Sequence, residues 1–470
     1  GPVEFVRFVG HRACVDEAYK QAVSNRSRFV LDPLPNGGNI LVAFRINDRP
    51  MQIAPDAAPR DLMDLAISAY IVDEIEAREK ASDGWPRDFD FLMPVKNPSV
   101  WEACSEKLRR TLYHLSGDVS SFTWIARSTM PSLGRHRRSV PQRVDAVCLF
   151  SGGVDSLLGA YRLLSEGKKV LLVGHQADGT TAHAQKTLAK ALQLLFPGKA
   201  ALIQCRVSRS SIERPRFTLP DKVEETHRPR SFLFLCLAVA VANASKAKEI
   251  HIPENGLIAL NSPLQVSRVG SLSTRTAHPV FLMNFLDLVK SLGVYDGALK
   301  NQFMYESKTD MLRELDPQLK VLVRNSISCA RPSRYKQMKV NHCGYCVPCL
   351  YRRVAMMEAD LDAPADYAFD VFTSLAKLTE HTQADFRALA GFAQKIIASK
   401  PLGRDMLVLA HGSFPPEVGR VLGPKATEDY SPWSSMMVRW AEDFLAKVRG
   451  KSCAETLRIL GLRQSRAGVE

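Results

Sequence analysis

The sequence predicts an α/β fold built around a doubly wound parallel sheet, preceded by an α+β region and followed by a helical region. From Ala146 onward, short apolar stretches alternate with stretches of helical periodicity, which is typical of parallel strands joined by crossover helices. The composition, 46% hydrophobic and 24% charged residues, is that of a globular protein. It excludes a disordered or fibrous chain, and 470 residues suffice for two to four domains.

Residues 1–140 are predicted to form the α+β region. Short stretches of strand-like alternation are mixed there with two stretches in which apolar residues recur at helical spacing. Pro131-Ser132-Leu133-Gly134 and the basic cluster that follows interrupt this periodicity, which places a domain boundary near residue 140. The strand-like stretches are residues 4–8, 40–46, 89–95 and 121–126, and the helical ones are 62–72 and 100–115.

Residues 141–362 are predicted to contain the parallel sheet. In such sheets ligands bind beyond the carboxyl ends of the strands, so the loops after Phe150, Val173 and Ile252 are the places to search. The predicted strands are 146–150, 170–173, 201–207 and 250–252, and the predicted helices are 156–166, 182–196 and 230–244.

Residues 363–470 show mainly helical periodicity, at 371–378, 386–397 and 433–448, and contain no motif with evident chemistry. The longest apolar run, Phe232 to Ala242, is shorter than the roughly 18 to 20 residues of a transmembrane helix, so no membrane partner is expected. No secretory signal is visible, and we expect a cytoplasmic protein whose ten cysteines are reduced. The net charge of +14 favours anionic partners without naming one.

A glycine-rich turn, Ser151-Gly152-Gly153-Val154-Asp155-Ser156, lies between the first strand and the first helix of the predicted sheet. There, unpaired N–H groups and the positive end of the helix dipole can bind phosphate, and the glycines permit close approach. Ser151 and Ser156 add hydroxyl donors, whereas Asp155 is expected to hold Mg²⁺ or to orient a nucleotide. The alternative is a tight turn in which Ser156 only caps the helix.

Four of the ten cysteines cluster at Cys329, Cys343, Cys346 and Cys349. Four thiolates at this spacing suit tetrahedral Zn²⁺, and a site closed by four protein ligands is structural rather than catalytic. An iron–sulfur cluster is the alternative use of four cysteines, and chance grouping of free thiols is the third interpretation.

The glycine-rich turn resembles the Ser-Gly-Gly-x-Asp-Ser loop of the ATP pyrophosphatases, which form adenylates and release pyrophosphate. Together with the Cys-Gly-x-Cys-x-x-Cys motif that ends at Cys349 and the trailing Arg352-Arg353, it makes residues 145–360 similar to the 7-cyano-7-deazaguanine synthase family, called QueC. The resemblance implies an adenine nucleotide hydrolase-like, Rossmann-like fold with structural zinc, and ATP and Mg²⁺ as cofactors. It also implies activation of the carboxylate of 7-carboxy-7-deazaguanine by ATP, after which an amine displaces AMP.

Smaller matches extend the resemblance to further site residues. Arg230 precedes an apolar helix as the family's Arg does, and Ser307-Lys308-Thr309-Asp310 resembles its Thr-Lys-x-Glu segment. The resemblance implies catalytic roles for Asp155, Arg230 and Lys308, since a cation near the α-phosphate offsets the charge that develops during adenylation. His175-Gln176, which replaces the family's Gly-Gln, is expected to contact the nucleotide. The alternative for each is a structural or surface role.

The chain also departs from the synthases. Pro253-Glu254-Asn255-Gly256 replaces the family's Ser-Gly-Tyr-Pro-Asp-Cys-type stretch, so the base-reading residues are sought within 253–279, where His278 either contacts ligand or precedes a turn. The chain is about twice as long, and in this it resembles the QueC-like proteins of the anti-phage Qat and type IV CBASS systems. That resemblance implies transfer of the activated acyl group to the N-terminal amine of a partner protein. The reference pKa of such an amine is near 8, so the amine is partly neutral at physiological pH.

The leading hypothesis is an ATP-dependent carbon–nitrogen ligase that adenylates 7-carboxy-7-deazaguanine and transfers it to a partner protein's free N-terminus in anti-phage defence. The alternatives are a nitrile-forming 7-cyano-7-deazaguanine synthase, a tRNA-modifying ATP pyrophosphatase, and a nucleotide-binding subunit without turnover. The basic charge admits nucleic acid, but we do not expect it as the partner, because no cysteine pair lies near the glycine-rich turn.

Overall fold

The structure is a computed structural model that describes residues 6–11, 29–34, 36–77, 87–127, 138–223, 227–260, 277–409 and 430–462. Within these residues the strands form two sheets, one of four strands and one of seven. The strands are β1 (Val6–His11), β2 (Phe29–Leu31), β3 (Ile40–Ile46), β4 (Arg49–Met51), β5 (Asp88–Val95), β6 (Val119–Ala126), β7 (Ala146–Leu149), β8 (Val170–His175), β9 (Ala200–Arg209), β10 (Glu249–His251) and β11 (Ala298–Lys300).

Helices cover both sheets and make up more than half of the described residues after residue 300. Short 3₁₀ turns also occur at Lys336–Met338, Pro364–Asp366 and Leu375–Lys377. The helices are α1 (Ala57–Ile75), α2 (Pro98–Ser116), α3 (Val154–Ser165), α4 (Gly179–Leu195), α5 (Arg230–Ser245), α6 (Gly256–Ala259), α7 (Pro279–Ser291), α8 (Lys308–Leu312), α9 (Pro317–Asn325), α10 (Val347–Glu358), α11 (Val371–Ser374), α12 (Glu380–Ala398), α13 (Pro401–Leu409), α14 (Ser431–Lys451) and α15 (Ala454–Ile459).

The seven-stranded sheet has the order β11-β10-β7-β8-β9-β3-β4 and is parallel from β11 to β9. Alternate residues of β7 enter different cores, because Val147 packs in one hydrophobic cluster and Cys148 in another. Both faces of the sheet are therefore covered, as in Rossmann-like folds. The prediction of a mostly parallel α/β sheet is confirmed, and so is a helical C-terminal region.

Strand β3 extends the central sheet from the N-terminal part of the chain. It pairs antiparallel with β9, from Ile40 opposite Arg209 to Ile46 opposite Ile203. The central sheet thus contains strands from both sides of residue 140. The division into 1–140, 141–362 and 363–470 stays a prediction.

The four-stranded sheet has the order β2-β1-β5-β6, and all of its neighbouring strands are parallel. Helix α2 connects β5 to β6, which is a βαβ crossover, so this region follows the α/β pattern rather than the predicted α+β pattern. Strand-like alternation predicts strands but not their direction. The stretch predicted at 4–8 overlaps β1, and residues 4 and 5 lie outside the described residues.

No helix within the described ranges combines the length and the apolar character needed to cross a bilayer.

The two sheets are joined near Asn39, which is 4% exposed. Its side-chain oxygen accepts from the backbone N–H of Asp32 at 2.7 Å. Its amide nitrogen donates to the carbonyls of Val30 and Phe217, at 2.7 and 2.9 Å. Three backbone groups on two separate segments, residues 30–32 and residue 217, are thus hydrogen-bonded by one side chain.

Replacing this amide should destabilise the whole chain. We expect Asn39→Ala to lower the free energy of unfolding by about 3 kcal/mol, because buried backbone groups lose their partners. Urea denaturation measures the change, with the exposed Lys190→Ala as the control. A loss no larger than that of the control would show that Asn39 does not hold this junction.

Candidate nucleotide-binding site and metal centre

A cleft of about 580 Å³ opens at the carboxyl ends of β7, β8 and β10. Its walls include Phe150, Asp178 and Pro253, each of which lies in a loop that follows one of these strands. The loop 327–334 closes the opposite side. The position is the one that strand topology predicts for a ligand in an open parallel sheet.

The glycine-rich turn forms the floor of this cleft. Gly152 has a φ of 87°, a conformation that side-chain-bearing residues rarely adopt. A Cβ atom there would also lie 3.3 Å from the Cβ of Ala184 and from the backbone nitrogen of Gln185. The carbonyl of Gly152 accepts from the N–H of Ile327 at 2.8 Å, which fixes the turn to the loop opposite.

Helix α3 begins immediately after this turn, with Gly153 at its N-cap. The Ser156 hydroxyl donates to the carbonyl of Gly153 at 3.1 Å, and the N–H of Gly153 donates to the Ser151 hydroxyl at 3.3 Å. The first N–H groups of a helix have no partner inside the helix, and the helix dipole adds positive potential. The turn is therefore built to receive an anion.

Asp155 lies in the first turn of this helix and is held by two other segments. One carboxylate oxygen accepts from the Lys308 ammonium at 2.6 Å. The other accepts from the backbone N–H and the side-chain amide of Asn255, at 2.8 and 2.7 Å. A carboxylate has about four acceptor positions, so one remains for a metal ion or a ligand.

Both partners of Asp155 are positioned by helix caps. Asn255 is the N-cap of α6, and its side-chain oxygen accepts from the N–H of Ile258 at 3.3 Å. Lys308 is the first residue of α8, which Ser307 and Asp310 close with a capping box. Sequence reasoning did not assign Asn255. The signal was available, because Asn directly before a short apolar stretch is a favoured N-cap.

Arg230, the first residue of α5, lines the cleft near Phe234, whose ring centre lies 5.3 Å from the guanidinium carbon. Its Nε is buried and has no hydrogen-bond partner, and no ion pair to Arg230 occurs within the described part of the chain. Burial lowers the pKa of Arg230, but a guanidinium stays charged at neutral pH. Asp178 attracts this cation without forming an ion pair with it, so an anionic ligand would complete its compensation.

His175 and Gln176, predicted as nucleotide contacts, are not brought to the cleft lining. His175 is fully buried, with edge-on ring contacts to Tyr70 and Phe234, each with 5.3 Å between centres. Burial, together with nearby Arg230, lowers the pKa of His175 to about 3. The backbone N–H of Gln176 donates to the backbone carbonyl of Cys205 at 2.8 Å. The nucleotide roles of His175 and Gln176 stay predictions.

The structure adds cleft residues that the sequence did not single out. Asp178 caps α4 and accepts from the N–H of Thr181 at 2.9 Å. Lys222 lines the cleft and pairs with Glu74 of helix α1 at 3.2 Å. His278, in contrast, caps α7 by accepting from the N–H of Val280 at 3.3 Å and does not line the cleft. Residues 261–276 of the predicted base-reading stretch lie outside the described residues.

The four predicted cysteines meet beside the cleft. Their sulfur atoms all lie within 4.8 Å of one another, and Cys343 and Cys349 are 3.8 Å apart. Tetrahedral zinc with Zn–S bonds of about 2.3 Å places its sulfurs about 3.8 Å apart, so the geometry fits this ion. Hydrogen bonds from the other three cysteines lower the pKa of Cys329. The cluster could hold zinc.

The metal centre is joined to the cleft through the loop 327–334. Cys329 belongs to both, and the N–H of the preceding Ser328 donates to the His342 ring at 3.2 Å. Arg352 fixes the start of this loop, because its guanidinium donates to the Ser326 hydroxyl at 2.9 Å and to the Val323 carbonyl at 3.1 Å. A bound metal would therefore hold one wall of the cleft in place.

Removing this metal should loosen the cleft wall. A strong chelator or Cys349→Ser is expected to lower the free energy of unfolding by several kilocalories per mole, since structural zinc contributes to folding directly. Hydrogen exchange should rise at residues 326–334. Elemental analysis should find zinc, with Cys453→Ser as the control. Iron with acid-labile sulfide would instead support the alternative cluster.

Acid should destabilise the chain through His175. Its folded pKa of about 3 lies below the ordinary 6.5, so between these values the unfolded state binds the proton and stability falls as pH falls. The contribution lost between pH 7 and pH 5 is about 2 kcal/mol. Urea denaturation of His175→Leu at both pH values should show a drop that is smaller by this amount. An equal drop in both proteins would contradict the neutral buried state.

Known proteins match part of this chain. No family model matches the chain. The 7-cyano-7-deazaguanine synthase of Leptospira interrogans serogroup Icterohaemorrhagiae serovar copenhageni is 25% identical over 230 residues, which cover 45% of this chain and 86% of that protein. The 7-cyano-7-deazaguanine synthase of Campylobacter fetus subsp. fetus is 23% identical over 238 residues, covering 47% and 96%.

Among solved structures, a ketoreductase domain from the bacillaene assembly line aligns at 10% identity over 64% of this chain and 81% of the domain's own chain. The TM-score of 0.23 is too low to indicate a shared fold. The two synthases match less than half of this chain at low identity. These partial matches show that the chain is similar to the 7-cyano-7-deazaguanine synthases.

Proposed function

We propose that the chain adenylates the carboxylate of 7-carboxy-7-deazaguanine with ATP and passes the acyl group to an amine. The observation that carries the proposal is the meeting, in one cleft, of a helix N-terminus, the Lys308–Asp155 pair and Arg230, which forms no ion pair within the described residues. Positive potential fixed in place before a ligand arrives is what phosphoryl transfer requires. The names of the matched synthases supply the substrate class.

In the first step, a substrate carboxylate oxygen attacks the α-phosphorus of ATP. The bond to the β-phosphate breaks, and pyrophosphate leaves with the bonding electrons. The helix N-terminus binds phosphate oxygens, while Arg230 offsets the charge that builds on them. One N–H of the Lys308 ammonium is used by Asp155, so its other donors remain for the nucleotide.

In the second step, an amine attacks the acyl carbon, the bond to the AMP oxygen breaks, and the amine loses a proton to solvent. Mg²⁺ would neutralise phosphate charge, and Asp155 keeps one acceptor position that could contribute to holding it. The acyl adenylate must be kept from water, which the apolar cleft walls around the buried Phe150 and the half-buried Phe234 favour.

Two acceptors are candidates. Ammonia would give an amide and, after a second activation, the nitrile, and the names of the matched synthases favour this outcome. A protein N-terminal amine would give a secondary amide, where the reaction stops. The match covers 45% of this chain, and the additional length supports this second acceptor, since a protein substrate needs a larger binding surface than ammonia does. A role in anti-phage defence stays a prediction.

The test is to incubate the chain with ATP, Mg²⁺ and 7-carboxy-7-deazaguanine, adding ammonia, peptides with free N-termini, or tRNA in separate reactions. We expect AMP and pyrophosphate in equal amounts, with the acylated acceptor identified by mass spectrometry. Asp155→Asn should lower kcat/KM by about 100-fold or more, because it releases the Lys308 ammonium from its partner. Asp360→Asn, an exposed aspartate after α10, is the matched control.

The products distinguish the hypotheses. Free nitrile with ammonia alone identifies a synthase, and an acylated peptide identifies a protein ligase. ATP binding without AMP under any combination would leave a nucleotide-binding subunit and overturn the proposal. An Asp155→Asn variant as active as the control would overturn the assignment of the site.

A further inference from the structure

We infer that Arg439, on helix α14, is a positioning residue for the Lys308–Asp155 pair. The catalytic part of this inference rests on the proposed function, whereas the placement rests on contacts alone. Helix α14 (Ser431–Lys451) belongs to the C-terminal region, where the sequence shows no chemical motif. Two of its residues contact the two short helices that present Lys308 and Asn255 to Asp155.

The first contact joins Arg439 to Asp310. The Arg439 Nε lies 3.3 Å from one carboxylate oxygen of Asp310, and Nη2 lies 3.2 Å from the other. The same Nη2 donates to the backbone carbonyl of Tyr305 at 3.2 Å. Arg313 approaches Asp310 only to 3.7 Å and pairs more closely with Asp443, at 2.6 Å. Arg439 is therefore the principal cation that holds this carboxylate.

Asp310 in turn fixes the start of helix α8. Its carboxylate accepts from the N–H of Ser307 at 2.9 Å, and its own N–H donates to the Ser307 hydroxyl at 3.0 Å. Lys308 is the residue enclosed by this capping box. A helix of five residues has little stability by itself, so its geometry depends on contacts from outside. Arg439 orients the carboxylate that closes the box and thereby the backbone that carries Lys308.

The second contact joins Met436 to Gly256. A Cβ atom on Gly256 would lie 2.4 Å from the Met436 sulfur, so the two segments are packed as closely as glycine permits. Gly256 directly follows Asn255 and begins helix α6, which has four residues. The two contact residues, Met436 and Arg439, are three apart on α14 and lie on one face. One helix face thus supports both partners of Asp155.

The magnitudes separate positioning from general stability. The Arg439 side chain is 46% exposed, and an ion pair at such a site contributes about 1 kcal/mol or less to folding. Displacing a reacting group by about 1 Å can lower turnover by about 100-fold. Loss of Arg439 should therefore change the rate far more than the stability.

The experiment compares Arg439→Met, Arg439→Lys and Lys447→Met in the full chain. Lys447 lies on the same helix and makes an ion pair with Glu358 at 3.1 Å, so its variant is a matched control. The first readout is acetylation of Lys308 by a soluble acylating reagent, followed by mass spectrometry of its peptide. Lys308 is 7% exposed and hydrogen-bonded, so it should react slowly in the native chain. The second readout is kcat and KM for ATP.

For Arg439→Met we expect Lys308 acetylation to rise severalfold and kcat to fall about 10- to 100-fold, with a smaller change in KM. Arg439→Lys keeps the charge but not the two-oxygen geometry, so it should lie between Arg439→Met and the native chain. Lys447→Met should match the native chain in both readouts. Thermal melting should show similar, small losses for all three variants.

Equal Lys308 acetylation and kcat in Arg439→Met and Lys447→Met would overturn the inference, while AMP formation by the native chain would leave the proposed function intact. Absence of AMP formation in the native chain would overturn the proposed function. In that case the acetylation rates would still test whether Arg439 positions Lys308.

Discussion

A carboxylate that is almost removed from water must be compensated, and this requirement organises the cleft. Asp155 is 9% exposed, and its charge is balanced by Lys308 and by two N–H donors of Asn255. Breaking a buried pair by removing one partner typically costs about 3 to 5 kcal/mol. The three residues lie on three different segments, so the pairing also fixes the relative positions of the loops after β7, β10 and β11.

The metal centre imposes the second constraint on the cleft. Loop 327–334 has no regular secondary structure, and its first residues attach it to two neighbours, through Ile327 to Gly152 and through Cys329 to the cysteine cluster. Cys329 of the cluster and residues 330–334, which line the cleft, are therefore consecutive in sequence. A metal ion in the cysteine cluster would therefore order the wall of the cleft through this loop.

Local patterns could be predicted from the sequence, and pairings between distant segments could not. The turn 151–156 spans six residues and the four cysteines lie within 21, so local spacing predicted the turn and the cluster. Asn255 meets Asp155 across 100 residues of chain, and nothing in either segment indicates the other. His175 marks another limit: every residue of β8 is buried, so no alternation indicated that this side chain points into the core.

Among the described residues, the cleft is lined only by the predicted central region, 141–362, and the flanking regions support residues of that lining. From the N-terminal side, β3 extends the sheet and Glu74 of α1 holds Lys222 at the cleft wall. From the C-terminal side, α14 packs against the helices that carry Asn255 and Lys308. Without these contacts, one edge of the sheet and two short helices would face solvent. Lys222, Lys308 and Asn255 would then be less ordered. Any displacement of α14 would reach Asp155 through only two intervening side chains, those of Asp310 and Lys308, so a group bound to α14 would alter the geometry of this carboxylate.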